Sequence, residues 1–159
     1  MEIQTAPRLR LEDVTPDNWR QRLEVAEEQK GLVANQAILL ARAYAYRDLR
    51  SRAFFLYDEK TPVGMGLYYD CPERDGYIFS QLFIDARYQR QGYGRAAVQL
   101  VLDALKQDQK YHRVLLCYEE GNEVARHLYA SFGFVETEKD EDEIIMELSW
   151  EASWKNESK

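Results

Sequence analysis

Leu82-Phe83-Ile84-Asp85-Ala86-Arg87-Tyr88-Gln89-Arg90-Gln91-Gly92-Tyr93-Gly94-Arg95 is the stretch on which the reading of this chain turns. An apolar strand runs into a short polar segment holding two glycines one residue apart, and a helix opens there. The first turn of a helix presents N–H groups without intrahelical partners, together with partial positive charge. Glycine lets the backbone come close to a phosphate. The combination is an anion cradle suited to a diphosphate, and Arg87, Arg90 and Arg95 can add charge. It is not a Walker loop, because the Gly-Lys-Ser/Thr ending is missing. Nor is it a dinucleotide fingerprint, because the third glycine is absent and the turn lies mid-chain.

Working outward, residues 8–13 place Leu9 and Leu11 on one face of a short strand. Thr15-Pro16-Asp17 is an N-terminal helix signal. It predicts a helix to about Ala26 with Trp19, Leu23 and Ala26 inward. Gly31 interrupts, and a second helix starts near Asn35 with Ala37, Leu40, Ala41 and Tyr44 on its inner stripe. Residues 53–58 and 62–70 read as a hairpin, in which Gly64 and Gly66 admit a close neighbour. Residues 77–85 form a third strand of this group. A helix from Gly92 to about Gln107 buries Val98, Val101, Leu102 and Leu105. Residues 112–118 are a strand, and Asn122 caps a helix to about Ser131 that Gly133 ends. Residues 134–137 and 143–150 are the last strands, with Ile144, Met146, Leu148 and Trp150 alternating onto one face. The order βααβββαβαββ is an α/β (α+β) domain spanning 1–150, with a polar tail at 151–159.

The 159 residues suit one domain with a core of its own. Hydrophobic residues at 45% and charged residues at 31% give a globular balance. A net charge of −7 without any basic stretch interleaved with aromatics argues against nucleic acid. It agrees with a cationic partner. Cys71 and Cys117 have no metal-ligand spacing, so no metal is expected. With no apolar h-region and no apolar run of spanning length, the expected location is the cytoplasm, away from the membrane. His112 reads as a strand-start residue, His127 as a helix-surface residue and Cys117 as a small buried hydrophobe.

The second block, Asn122-Glu123-Val124-Ala125-Arg126-His127-Leu128-Tyr129-Ala130-Ser131-Phe132-Gly133-Phe134, follows the next strand. With it the sequence resembles the GNAT superfamily of N-acetyltransferases. Gln89-x-x-Gly92-x-Gly94 is similar to that family's Gln/Arg-x-x-Gly-x-Gly/Ala signature, and the Asn122…Tyr129…Gly133-Phe134 run is similar to its following block. Val14-Thr15-Pro16-Asp17-Asn18-Trp19, Glu27-Glu28-Gln29-Lys30, Val33-Ala34-Asn35 and Phe83-Ile84-Asp85-x-Arg87-Tyr88-Gln89 look like its bacterial spermine/spermidine (diamine) branch.

The resemblance implies a mixed, mostly antiparallel twisted sheet of about seven strands with four helices. It implies acetyl-CoA as cosubstrate and direct attack of an amine on the thioester. Leu82, Phe83 and Ile84 would pair with the pantetheine arm. Gln89, Arg90, Gln91, Gly92, Tyr93, Gly94 and Arg95 would hold the diphosphate, and Asn122 would touch the cofactor. Tyr129 would be the general acid. Many members carry a carboxylate base on the strand before the split, where this chain has Ser80 and Gln81. A water chain, or Glu27, Glu28, Asp70, Glu119 or Glu120 reaching in, would then take the proton. Glu27, Glu28, Asp70 and Glu119 are the candidate contacts for a small cationic amine such as a polyamine or diamine. A protein or peptide N-acetyltransferase and a non-catalytic acyl-CoA sensor are the competing readings. The bulk of Tyr44, Tyr46, Tyr68 and Tyr69 favours a closed pocket over the first of these. Many relatives dimerise, so a homodimer is the expected assembly.

Overall fold

The structure, a computed structural model, describes residues 8–30 and 35–150. Seven strands are present: β1 (Leu9–Asp13), β2 (Arg52–Asp58), β3 (Thr61–Cys71), β4 (Gly76–Ile84), β5 (Arg113–Glu119), β6 (Val135–Asp140) and β7 (Glu143–Ser149). They form one sheet in the order β1-β2-β3-β4-β5-β7-β6. Every neighbouring pair is antiparallel except β4 with β5. Three α-helices accompany it among the described residues: α1 (Gln36–Ala45), α2 (Tyr93–Asp108) and α3 (Glu123–Ser131). The α/β class and the succession of seven strands along the chain are as read from the sequence.

The helix expected before Ala26 is absent. Thr15 closes a single turn, with the amide of Trp19 donating to its carbonyl at 3.0 Å, and the chain then runs extended. Its amides serve other elements. Leu23 N donates to Gln36 Oε1 at 3.1 Å, and Glu24 N to Asp85 Oδ2 at 2.9 Å. Leu23, Val25 and Ala26 are buried while Trp19 is 49% exposed, so Leu23 and Ala26 face inward as expected although no helix carries them. Capping chemistry started a turn there, and tertiary partners decided against propagating it. The readings at residues 31–34 and in the tail 151–159 lie outside the described residues.

Each face of the sheet carries its own core. On one side α2 lays Ala97, Val98, Val101, Leu102 and Leu105 over Phe54, Tyr77, Phe79 and Val114. On the other, Leu23, Val25 and Leu39 cover Phe55, Met65, Leu67 and Phe83. α1 therefore turns Leu39 inward, and Tyr44 is left 69% exposed. The inner phase runs through Leu39, Leu40 and Ala43, one position off the stripe read from the sequence. The last-strand alternation holds, since Ile144, Met146, Leu148 and Trp150 all join the first core.

Gly66 is where sheet and core come closest. A Cβ there would stand 2.5 Å from Phe54 Cζ and 2.8 Å from the carbonyl oxygen of Gln81. Gly66→Ala is expected to lose about 1–3 kcal/mol of stability through overpacking, measured by urea unfolding. A midpoint equal to that of the parent would contradict this packing.

Candidate active site

β4 and β5 are in register over only two pairs, Tyr77↔Val114 and Ile78↔Leu115. Beyond them β4 pairs on with β3, and β5 with β7. Beyond these two pairs, no strand pairing joins residues 79–84 to residues 116–119 among the described residues, and the two edges separate. A cleft of about 670 Å³ fills this split. It runs between the helix start at Gly92 and the α3 side chains, and Phe79, Leu82, Ile84, Leu116, Asn122 and Tyr129 are among its lining.

The glycine turn is set by Asp85, which is fully buried at the end of β4. Its Oδ1 accepts from Arg87 N and Nε, both at 2.9 Å, and its Oδ2 accepts from Glu24 N. Burial opposes ionisation of this carboxyl, but the hydrogen bonds from Arg87 and Glu24 outweigh it and hold the group below the usual carboxylate range. Gln89 Nε2 donates to Ile84 O at 3.2 Å, tying the turn to its strand. Arg90 and Gly92 take left-handed backbone at φ 64° and 82°. The first turn of α2 then opens with its amides directed at the cleft end. A Cβ at Gly94 would meet only Leu128 Cδ2, at 3.8 Å. The protein's own packing leaves that space free.

The residues expected to bind the cosubstrate separate into three groups. Leu82, Phe83, Ile84, Gln89, Arg90, Gly92, Gly94 and Asn122 line the cleft. Tyr93 lines it too, but its hydroxyl donates to Asp58 across the core, and that bond, with burial, pushes the phenol up to about 12. Its offering to a ligand is its backbone amide. Gln91 and Arg95 do not line the cleft; the Arg95 guanidinium lies 5.3 Å from the Phe132 ring centre. Asn122 caps α3 by accepting from Ala125 N at 3.2 Å.

Tyr129 is held edge-on by Phe79 and Phe134, with ring centres 6.1 and 5.7 Å away. Its hydroxyl makes no hydrogen bond among the described residues. Burial, and then Cys117, push its phenol well above the tyrosine range, so it stays a donor. Cys117 lines the cleft rather than filling the core, a correction to the sequence reading. Its thiol is pushed up, by desolvation first and Glu143 second. A thiol kept neutral in this way is a poor acyl carrier.

Of the acidic candidates only Glu28 lines the cleft. Glu27 pairs with Lys30 at 2.7 Å, Glu120 pairs with Lys139 at 2.8 Å, and Glu119 is exposed at the end of β5. Asp70 is a correction: it is buried at the closed end of the split, bound by Arg50 and Lys110. The four tyrosines expected to close the pocket are not among its lining either. Tyr46 stacks on Tyr69 at 4.2 Å instead. The sequence reading missed Arg42, whose Nη1 donates to Ser80 Oγ at 3.3 Å. A charged residue three after Leu39, on the inward phase of an apolar helix, was the available signal.

Comparison with known proteins agrees with this geometry. The profile of the Acetyltransferase (GNAT) family matches residues 11–134. The spermine/spermidine N(1)-acetyltransferase of Bacillus subtilis (strain 168) is 34% identical over 85 residues, which is 50% of this chain and 56% of that protein. The matched part is thus about half the length of that curated relative. Among solved structures, a Vibrio cholerae spermidine N-acetyltransferase in complex with CoA and spermine superposes with a TM-score of 0.69 at 19% identity, covering 89% of this chain and 95% of that one. A dodecameric form of the Vibrio cholerae enzyme gives 0.66 at 20% identity, over 95% and 98%. An acetyltransferase from Thermus thermophilus gives 0.62 at 20% identity, over 89% and 97%. The profile match and a sheet split beside a glycine turn lead to one conclusion: the chain belongs to the Acetyltransferase (GNAT) family.

Proposed function

We propose that this protein transfers the acetyl group of acetyl-CoA to a primary amine of a small cationic acceptor, a polyamine or diamine such as spermidine or spermine. The observation that carries the reading is the split between β4 and β5, with the Gly92 helix start beside it and Tyr129 in its lining. The residues fit the cosubstrate. Open strand edges suit the amides of a pantetheine arm, first-turn amides suit a diphosphate, and the space above Gly94 admits one. Bound acetyl-CoA supplies a thioester as acetyl donor. Residues 82–84 would orient the arm by backbone pairing, and Arg90 with the amides of Tyr93 and Gly94 would hold the diphosphate. Tyr129 would donate its phenolic proton to the departing sulfur. Glu28, at the cleft, would attract the acceptor's positive charge.

The Bacillus subtilis and Vibrio cholerae relatives support the acceptor class. The dodecameric relative supports self-association, for which a homodimer is the smallest unit. Two unbridged cysteines suit a reducing compartment and so a cytoplasmic location. Acetyl-CoA turnover followed by thiol release tests the function, over spermidine, spermine, putrescine, lysine analogues and peptides. Polyamines are expected to give the highest kcat/KM. Preference for peptides would move the acceptor to proteins, and CoA binding without turnover of any amine would make the protein a sensor.

A further inference from the structure

Where a carboxylate base would stand on β4, the charge that reaches the strand is positive. Ser80 is the extra residue of a bulge, since Phe79 faces Tyr68 and Gln81 faces Leu67 with Ser80 between them. It lines the cleft. Arg42 reaches it from α1 with the 3.3 Å bond to Ser80 Oγ. Among the described residues Arg42 forms no ion pair. Several groups from the neighbouring elements face this guanidinium. On β3 is Tyr69, whose phenol is pushed up by burial and lies beside Ser80 and Tyr46. Tyr46 itself, just past the end of α1, stacks on Tyr69. Across the split on β5 is Cys117, whose thiol feels Arg42 and the Glu143 carboxylate of β7 in opposite senses. Glu28 and Tyr129 belong to the same cleft. The cation therefore sits behind the bulged strand, bonded to Ser80 and felt by Cys117, both of the cleft lining, and among the described residues it has no ion-paired carboxylate.

We infer that Arg42 takes over the task of a strand base by charge alone: it lowers the proton affinity of the acceptor ammonium, so that the free amine forms at the split. The inference rests on the acetyl-transfer reading above. A like charge close to an ammonium disfavours its protonated form, and a cationic neighbour is a known way to activate an amine nucleophile. The ammonium N–H bond breaks and the proton passes to water. The freed lone pair forms the new bond to the carbonyl carbon. The carbon–sulfur bond breaks with its electron pair going to sulfur, which takes the Tyr129 proton, and the second N–H proton of the attacking nitrogen passes through water to restore the Tyr129 phenol, leaving the neutral amide and the CoA thiol. The same repulsion weakens acceptor binding, so activation comes at the expense of affinity.

The test is the pH profile of kcat at saturating amine, which reports groups in the enzyme–substrate complex. The parent limb is expected below the free alkylamine value of about 10.4. Arg42→Gln is expected to move that limb up by about one pH unit. Its kcat at neutral pH then falls about tenfold while KM for a polyamine falls as well. Arg42→Lys keeps the charge and is expected to keep the limb near the parent position. Thermal unfolding of both variants reports whether they are folded. A folded Arg42→Gln with an unmoved limb, or a limb moved equally by Arg42→Lys, overturns the inference and leaves the acetyl-transfer reading intact. A parent protein that acetylates no amine from neutral to alkaline pH overturns both.

Discussion

Tyr129→Phe is expected to lower kcat by roughly 10²-fold or more, while the Kd for CoA changes by less than about threefold. The substitution removes one oxygen and keeps the ring, so the edge-on contacts with Phe79 and Phe134 survive and α3 stays anchored. What is lost is a buried donor in the cleft lining whose hydroxyl the described residues leave unengaged. A thiolate leaving group has a conjugate-acid pKa of about 8.5. The Tyr129 phenol lies above the ordinary tyrosine range, because burial and Cys117 disfavour its anion. Complete transfer of its proton is therefore uphill, by about 1.4 kcal/mol for each unit of mismatch. Its main effect is a hydrogen bond that strengthens as charge collects on sulfur, which is differential stabilisation of the transition state. The raised phenol also favours the protonated donor at alkaline pH. Single-turnover rates and CoA titrations separate the two effects. An equal loss in both would make Tyr129 a packing residue.

The other large effect is expected at the closed end of the split. Asp70→Asn is expected to lower unfolding free energy by about 2–4 kcal/mol. Asp70 is 3% exposed. It accepts from Arg50 Nε at 2.7 Å, Arg50 Nη2 at 3.0 Å and Lys110 Nζ at 3.0 Å. Arg50 also grips Asp108 through two bonds of 3.0 and 2.8 Å, and Asp108 accepts from the Tyr77 hydroxyl. The cluster joins β3, β4, the end of α2 and the approach to β5, where the two register pairs must carry the junction. The partners are half-exposed, so the figure is set below that for a fully buried pair. Burial opposes ionisation of Asp70, but Arg50 and Lys110 hold it below the ordinary carboxylate range. Asp108 is held down to about 2, chiefly by Arg50. Carboxyls depressed in the folded state stabilise above their unfolded pKa of about 3.9 and lose that contribution as pH falls through the folded value. The gap between parent and Asp70→Asn should therefore be constant near neutrality and narrow as pH drops below about 4. A gap independent of pH would assign the loss to packing.

Much of this arrangement could be read from the residues. The strand–turn–helix at 82–95 was legible because glycines, strand pattern and helix signals agree locally. Asn122 and Asn35 announced their caps, and both accept the expected amides. The failures lie where a local signal met a distant partner. Thr15-Pro16-Asp17 promised a helix, but Asp85 and Gln36 take the amides of Glu24 and Leu23. Asp70 read as an acidic residue available to substrate, but Arg50 and Lys110 lie 20 and 40 positions away in sequence and claim it. The α1 stripe slipped by one position, because alanines on both phases leave the periodicity weak and the sheet decides which side is inner. Tyr129 and the glycine turn needed a family likeness to acquire roles, since their spacing alone fits ordinary packing.

The two-pair junction between β4 and β5 has a mechanical meaning. A sheet normally transmits load through a continuous ladder, whereas here β1–β4 and β5–β7–β6 share a ladder at one corner only and are otherwise joined by the core under α2. A ligand that fills the ladder sutures them along their length. The reacting partner would then double as a strand of the fold, and binding free energy would appear as rigidity across the seam. Departure of product would leave the two halves joined by the corner pairs and the core under α2. On that view the molecule is a complete sheet only while it is loaded.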